Sequence, residues 1–77
     1  MGRRRRYPIV VEDAILDAIR ELGEETGKPT FHWKQIRRKI YERTGVWVMD
    51  TTLVRALRRL REEGVLYGKD GRWGFKW

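Results

Sequence analysis

A chain of 77 residues with a formal net charge of +7 and no cysteine makes one domain at most, with a core that must be densely packed to hold. The missing cysteines exclude disulfides and thiolate metal sites, and the lone histidine, His32, builds no metal site by itself. No apolar run approaches the roughly 20 residues of a membrane span and no signal peptide is visible, so a soluble intracellular protein is the expectation.

Residues 1–8 read as a basic flexible arm. Arg3, Arg4, Arg5 and Arg6 repel one another and have nothing apolar to bury. Residues 9–77 then read as the folded domain. A first helix is expected from about Val10 to Leu22, with Val11, Ala14, Ile15, Ala18, Ile19 and Leu22 on one stripe and Gly23 as its stop. Leu16 falls off that stripe by about 100°. It either widens the apolar face or marks a subunit contact. Residues 23–29 read as a loop, and Phe31 as a residue or two of strand. A second helix follows from His32 or Trp33 to Arg43, with Trp33, Ile36 and Ile40 inward. Gln35, three residues after His32, suggests a capping box, with Thr30 the rival cap. After Gly45, Trp47 is expected to plug the core.

A third helix is expected to start at Asp50 as N-cap, to turn Leu53, Ala56, Leu57 and Leu60 inward, and to close at Gly64. Val65–Lys69 and Arg72–Trp77 then form a hairpin around Asp70-Gly71, a pair suited to a type I′ turn. A two-residue turn sets Lys69 opposite Arg72, Gly68 opposite Trp73 and Leu66 opposite Phe75. Leu66, Trp73, Phe75 and Trp77 share the core side, Trp73 fills the space over Gly68, and Tyr67 lies on the wet face.

Charge is unevenly spread. Residues 1–8 carry +4, residues 9–27 carry −5 and residues 28–77 carry +8. An acidic first helix and a basic remainder would steer a polyanion to one side of the molecule. On a helical wheel of the third helix, Thr51, Arg55 and Arg58 point away from the core, with Thr52 and Arg59 on a flank and Glu62 at the far end. The plain alternative is that Arg58–Glu62 and Arg59–Glu63 are ordinary surface pairs, worth about 0.2–0.5 kcal/mol each. Arg55 has no such partner at either i±4 position. Lys69 and Arg72 sit at the hairpin tip. Lys34 and Arg38 point outward from the second helix, with Arg37 on a flank and Tyr41 at a core edge.

The run Thr51-Thr52-Leu53-Val54-Arg55-Ala56-Leu57-Arg58-Arg59-Leu60, followed by Glu63-Gly64-Val65-Leu66, resembles the winged-helix family of DNA-binding domains. The likeness covers about residues 9–77, and in size and composition it is similar to small archaeal and archaeal-virus regulators. It implies an α+β fold of three helices with a C-terminal β-hairpin wing. It also implies double-stranded DNA as partner. Thr51, Thr52, Arg55, Arg58 and Arg59 would lie in the major groove, Lys69 and Arg72 at the wing, and Lys34, Arg37 and Arg38 on the backbone. The Arg3–Arg6 arm would enter a minor groove, anchor nonspecifically, or be idle.

The leading expectation is a sequence-specific transcription regulator, acting as a homodimer with Leu16 as a candidate contact. Alternatives are a nonspecific architectural protein of chromatin type, or a protein-interaction domain whose working surface is the acidic first helix. An enzyme is not expected, because serine and cysteine are absent and no paired-carboxylate cleft is visible. No cofactor or small-molecule ligand is expected either. The absence of asparagine and serine, with 38% charged residues, hints at a thermophilic source. The expected location is the cytoplasm, nucleoid-associated, or the host-cell cytoplasm if the source is viral.

Overall fold

A computed structural model describes residues 8–76. The arginines of the expected arm, Arg3–Arg6, and the terminal Trp77 lie outside them. The order of elements is α1 (Val11–Thr26), β1 (Phe31–His32), α2 (Trp33–Thr44), α3 (Asp50–Glu62), β2 (Leu66–Lys69) and β3 (Arg72–Phe75). The strands make one antiparallel sheet in the order β1-β3-β2. This compact α+β arrangement is compatible with a winged helix.

α1 buries its expected stripe, Ala14, Ile15, Ala18, Ile19 and Leu22. It does not stop at Gly23. A glycine inside a helix costs only about 1 kcal/mol, and the Thr26 hydroxyl donates to the Leu22 carbonyl at 2.8 Å, which supports one more turn. The helix closes at Gly27, whose φ of 73° lets its N–H reach the Gly23 carbonyl at 2.8 Å. Leu16 is half-buried and packs against the core, as the wide-face reading anticipates.

His32, not Thr30, caps α2. Its Nδ1 accepts from the Lys34 N–H, and the Gln35 side chain accepts from the His32 N–H, both at 3.1 Å. Between α2 and α3 the chain is extended and alternates. Val46 is half-buried, Trp47 exposed, Val48 fully buried and Met49 exposed. Val48 therefore plugs the core in place of Trp47, because alternation allows only one of the two neighbours to point inward. Met49, with extended backbone, occupies the cap position of α3, and Asp50 is its first helical residue with no capping hydrogen bond. The Asp50 carboxylate is instead taken by Arg37 of α2.

The core packs Ile15, Ile19, Ile36, Ile40, Val48, Leu53 and Leu57 between the three helices, with Phe31, Leu66 and Trp73 closing the sheet side. The hairpin has the expected register, Leu66 with Phe75, Gly68 with Trp73 and Lys69 with Arg72. Its turn places Asp70 and Gly71 at φ 55° and 78°, the left-handed pair that a type I′ turn requires. The Trp73 ring lies directly on Gly68, where any Cβ would collide with Cζ3 and Cε3. The turn is held down as well, because the Trp33 N–H donates to the Gly71 carbonyl at 3.1 Å. Among the described residues no helix is long and apolar enough to cross a membrane.

Candidate nucleic-acid interface

The stripe Leu53, Leu57 and Leu60 fixes the rotation of α3 by burying itself. That rotation leaves Thr51, Arg55, Arg58 and Arg59 exposed and Thr52 half-buried. Asp50, Thr51, Val54, Arg55, Arg58, Arg59 and Glu62 line an open concavity along the outer face of the helix. Neither Arg58–Glu62 nor Arg59–Glu63 is formed. Among the described residues Arg55 and Arg58 have no carboxylate partner, and the same holds for Lys34, Arg38 and Lys69.

The two flanks of α3 differ. Arg59 turns toward α1, with Nε 3.8 Å from the Glu12 carboxylate. The other flank meets the hairpin. Val54, Arg58, Arg61 and Glu62 of α3, Trp33 of α2, and Gly71 and Trp73 of the hairpin line one cleft of about 520 Å³. The guanidinium of Arg61 lies 5.5 Å from the centre of the Trp73 ring. Arg58 borders both the outer concavity and this cleft, so the exposed face of α3 and the hairpin turn form one continuous surface.

At the tip, Lys69 is exposed. Arg72 is exposed too but folds back, donating from Nε and Nη2 to the hydroxyl and carbonyl of Thr30 at 3.3 and 3.0 Å. Lys34 reaches over the Trp33 ring at 5.7 Å, and Arg38 is exposed. Arg37 departs furthest from the expectation of a backbone contact. Its side chain is only 17% exposed and pairs with Asp50. Its guanidinium lies between two indoles, 4.4 Å from the centre of Trp47 and 5.2 Å from Trp33. It ties α2 to the start of α3 and is not on the open surface. The Arg3–Arg6 arm lies outside the described residues.

Four acids of α1, Glu12, Asp17, Glu21 and Glu25, are engaged in ion pairs, while Asp13 and Glu24 are exposed without one among the described residues. Arg43 pairs with Glu21 and approaches Asp17 at 4.0 Å. Lys39 pairs with Glu25 at 2.9 Å and lies 3.3 Å from Glu42. The hydrogen bond from Arg43 holds the Glu21 carboxyl below its usual range and raises Arg43 in return, while the hydrogen bond to Glu25 raises Lys39. Two bases of α2 are thereby spent on α1. Among the described residues, the unpaired positive charge is left on Lys28, on Lys34 and Arg38 of α2, on α3 and at the hairpin.

Comparison with known protein families, curated proteins and solved structures finds no match to this chain.

Sequence reasoning missed Val54, Arg61 and Trp33 as lining residues. The α3 wheel already puts Val54 and Arg61 on one flank, but no local signal says which flank the hairpin covers. It also missed the outward turn of Trp47, for which the Val-Trp-Val-Met alternation was the available signal.

Proposed function

We propose that this chain is a winged-helix domain that binds duplex DNA, with α3 in the major groove and the β2–β3 turn on the flanking backbone or minor groove, acting as a sequence-specific transcription regulator. The observation that carries the reading is the continuity of the α3 face and the hairpin turn through the cleft at Arg58. An α-helix fits the major groove, and an unpaired arginine on its outer face can pair bidentately with guanine O6 and N7. Arg55 and Arg58 have that freedom. Thr51 and Val54 line the same concavity, and their methyl groups would suit the thymine methyl. Lys34, Arg38 and Lys69, exposed and without a carboxylate partner among the described residues, would act on phosphates, which fix register without reading sequence. Glu62 lines both the concavity and the cleft beside Arg58, and it disfavours anions at that end.

The protein-interaction alternative retains Asp13 and Glu24 as free acids of α1 among the described residues, whereas Glu21 and Glu25 are taken by Lys39 and Arg43. The architectural alternative keeps one point in its favour, the absence of Asn and Gln from α3, the side chains suited to adenine. Selection from a random duplex library decides between regulator and architectural protein. A regulator returns a defined site bound ~10³-fold or more above random duplex. Enrichment of no sequence, with tight low-salt binding to all duplexes, would leave the architectural reading. If about five phosphates are neutralised, the log–log salt slope is about −4 to −5.

A further inference from the structure

We propose that the outward stripe of α2 together with Trp47 is a second nucleic-acid site, which takes an unpaired base by stacking it on the indole. It shares Lys34 and Arg38 with the proposed duplex surface, and its ligand is single-stranded where that of α3 is duplex.

Trp47 is 53% exposed and Tyr41 is 48% exposed, although both rings are carried by a domain short of core material. They touch edge to face, with centroids 5.5 Å apart. Arg37 lies against Trp47 at 4.4 Å and is itself fixed by Asp50 and by Trp33. The indole is thus held in one orientation while more than half of its surface meets solvent. A ring fixed in advance loses little freedom when a ligand stacks on it. Lys34 and Arg38 share with Tyr41, which touches the indole, one outward stripe of α2 at spacings of four and three residues. Both are exposed and have no carboxylate partner among the described residues.

Charge decides what covers this patch. A second copy packed across a two-fold axis would bring Lys34 and Arg38 near their own duplicates, like charge against like. A ligand that joins planar π-faces to a polyanionic backbone meets both features at once. A duplex offers phosphates and base edges, but its base faces are already stacked on one another. The indole therefore gains from a base only when that base is unpaired.

The test uses the whole chain, titrated by fluorescence anisotropy with labelled (dT)12 and with an abasic strand of equal length and charge, at about 0.1 M salt. The expected result is an affinity for (dT)12 about 5- to 150-fold above that for the abasic strand, the range of one stacked base. Trp47→Leu should abolish that margin and Trp47→Phe keep most of it, each variant being checked by thermal melting. Should Trp47→Leu fail to fold, Tyr41→Ala takes its place with a partial loss expected. Equal affinity for the two strands would overturn the proposal. So would a concentration-dependent dimer that Trp47→Leu abolishes, which would assign the patch to a second copy. A retained (dT)12 margin with no duplex binding would sink the proposed function and leave this site standing.

Discussion

Replacing Gly68 with alanine should destabilise the domain, against the ordinary rule for this exchange. Where the backbone tolerates it, Gly→Ala stabilises by about 0.4–1 kcal/mol, because the unfolded chain has fewer states to lose. At Gly68 the added Cβ would fall on the Trp73 ring, 3.0 Å from Cη2 and nearer still to Cζ3 and Cε3. Trp73 has no room to retreat. It is 5% exposed, Arg61 lies over its ring, and its strand is hydrogen-bonded on both sides. Forcing a methyl group into such a site costs about 1–3 kcal/mol. The net loss is then up to roughly 2.6 kcal/mol, the difference between overpacking and the unfolded-state gain. At about 4–8 °C per kcal/mol for a domain of this size, the Tm should fall by up to about 20 °C, read by circular dichroism. In a Trp73→Leu background, where the ring is gone, the same substitution should be neutral or stabilising. A Gly68→Ala variant that melts at or above the parent temperature would refute the packing argument, and so would an equal loss in both backgrounds.

Arg37→Ala removes two ring contacts, worth about 0.5–1 kcal/mol each, and an ion pair to a mostly exposed carboxylate worth about 0–1 kcal/mol. A loss of about 1–3 kcal/mol in urea denaturation is expected, and a parent-like midpoint would mean that Arg37 holds nothing together. His32→Ala removes the acceptor for the Lys34 N–H and should cost about 0.5–2 kcal/mol, while His32→Asn, which keeps an acceptor, should lose much less. Equal losses would show that the ring, not the cap, matters. Because the folded pKa of Glu21 lies below its ordinary value of 4.5, its pairing contributes fully above that value and is lost as the pH falls through the folded one. Lys39 and Arg43 are raised, so their share is present at neutral pH and is lost only as the pH climbs through their folded values, above 10.5 for Lys39. Glu21→Gln should therefore lower the urea midpoint at pH 7, with the deficit shrinking as the pH falls below 4.5. A deficit that stays the same size as the pH falls would contradict the pairing.

Most of the fold was legible because its signals are local and mutually consistent. The α3 stripe, the Asp70-Gly71 turn and the Gly68–Trp73 pairing each follow from spacing and turn chemistry, and each is found as read. The failures share a cause, which is that two local rules competed and tertiary contacts decided between them. Gly23 satisfied the rule for a helix stop, but Gly27 was also available and Thr26 could bond back to Leu22. Asp50 satisfied the rule for an N-cap, but Arg37 offered its carboxylate a charged partner. The exposed face of α3 was legible from periodicity. The ion pairs that engage Lys39, Arg43 and Arg37 were not, because each joins different helices and no single-helix wheel contains them. The same limit hid which flank of α3 meets the hairpin.

The central claim is that Arg55 and Arg58 read base pairs while the neighbouring cations hold the backbone. The most direct measurement compares the parent with the Arg55→Ala and Arg58→Ala variants on a selected duplex and on random duplex at fixed salt. The account predicts that each substitution weakens the selected duplex by about 1–3 kcal/mol, with a much smaller loss on random duplex, so that discrimination collapses. Losses of equal size on both duplexes would make these arginines phosphate contacts only and contradict the assignment of α3 as the reading helix.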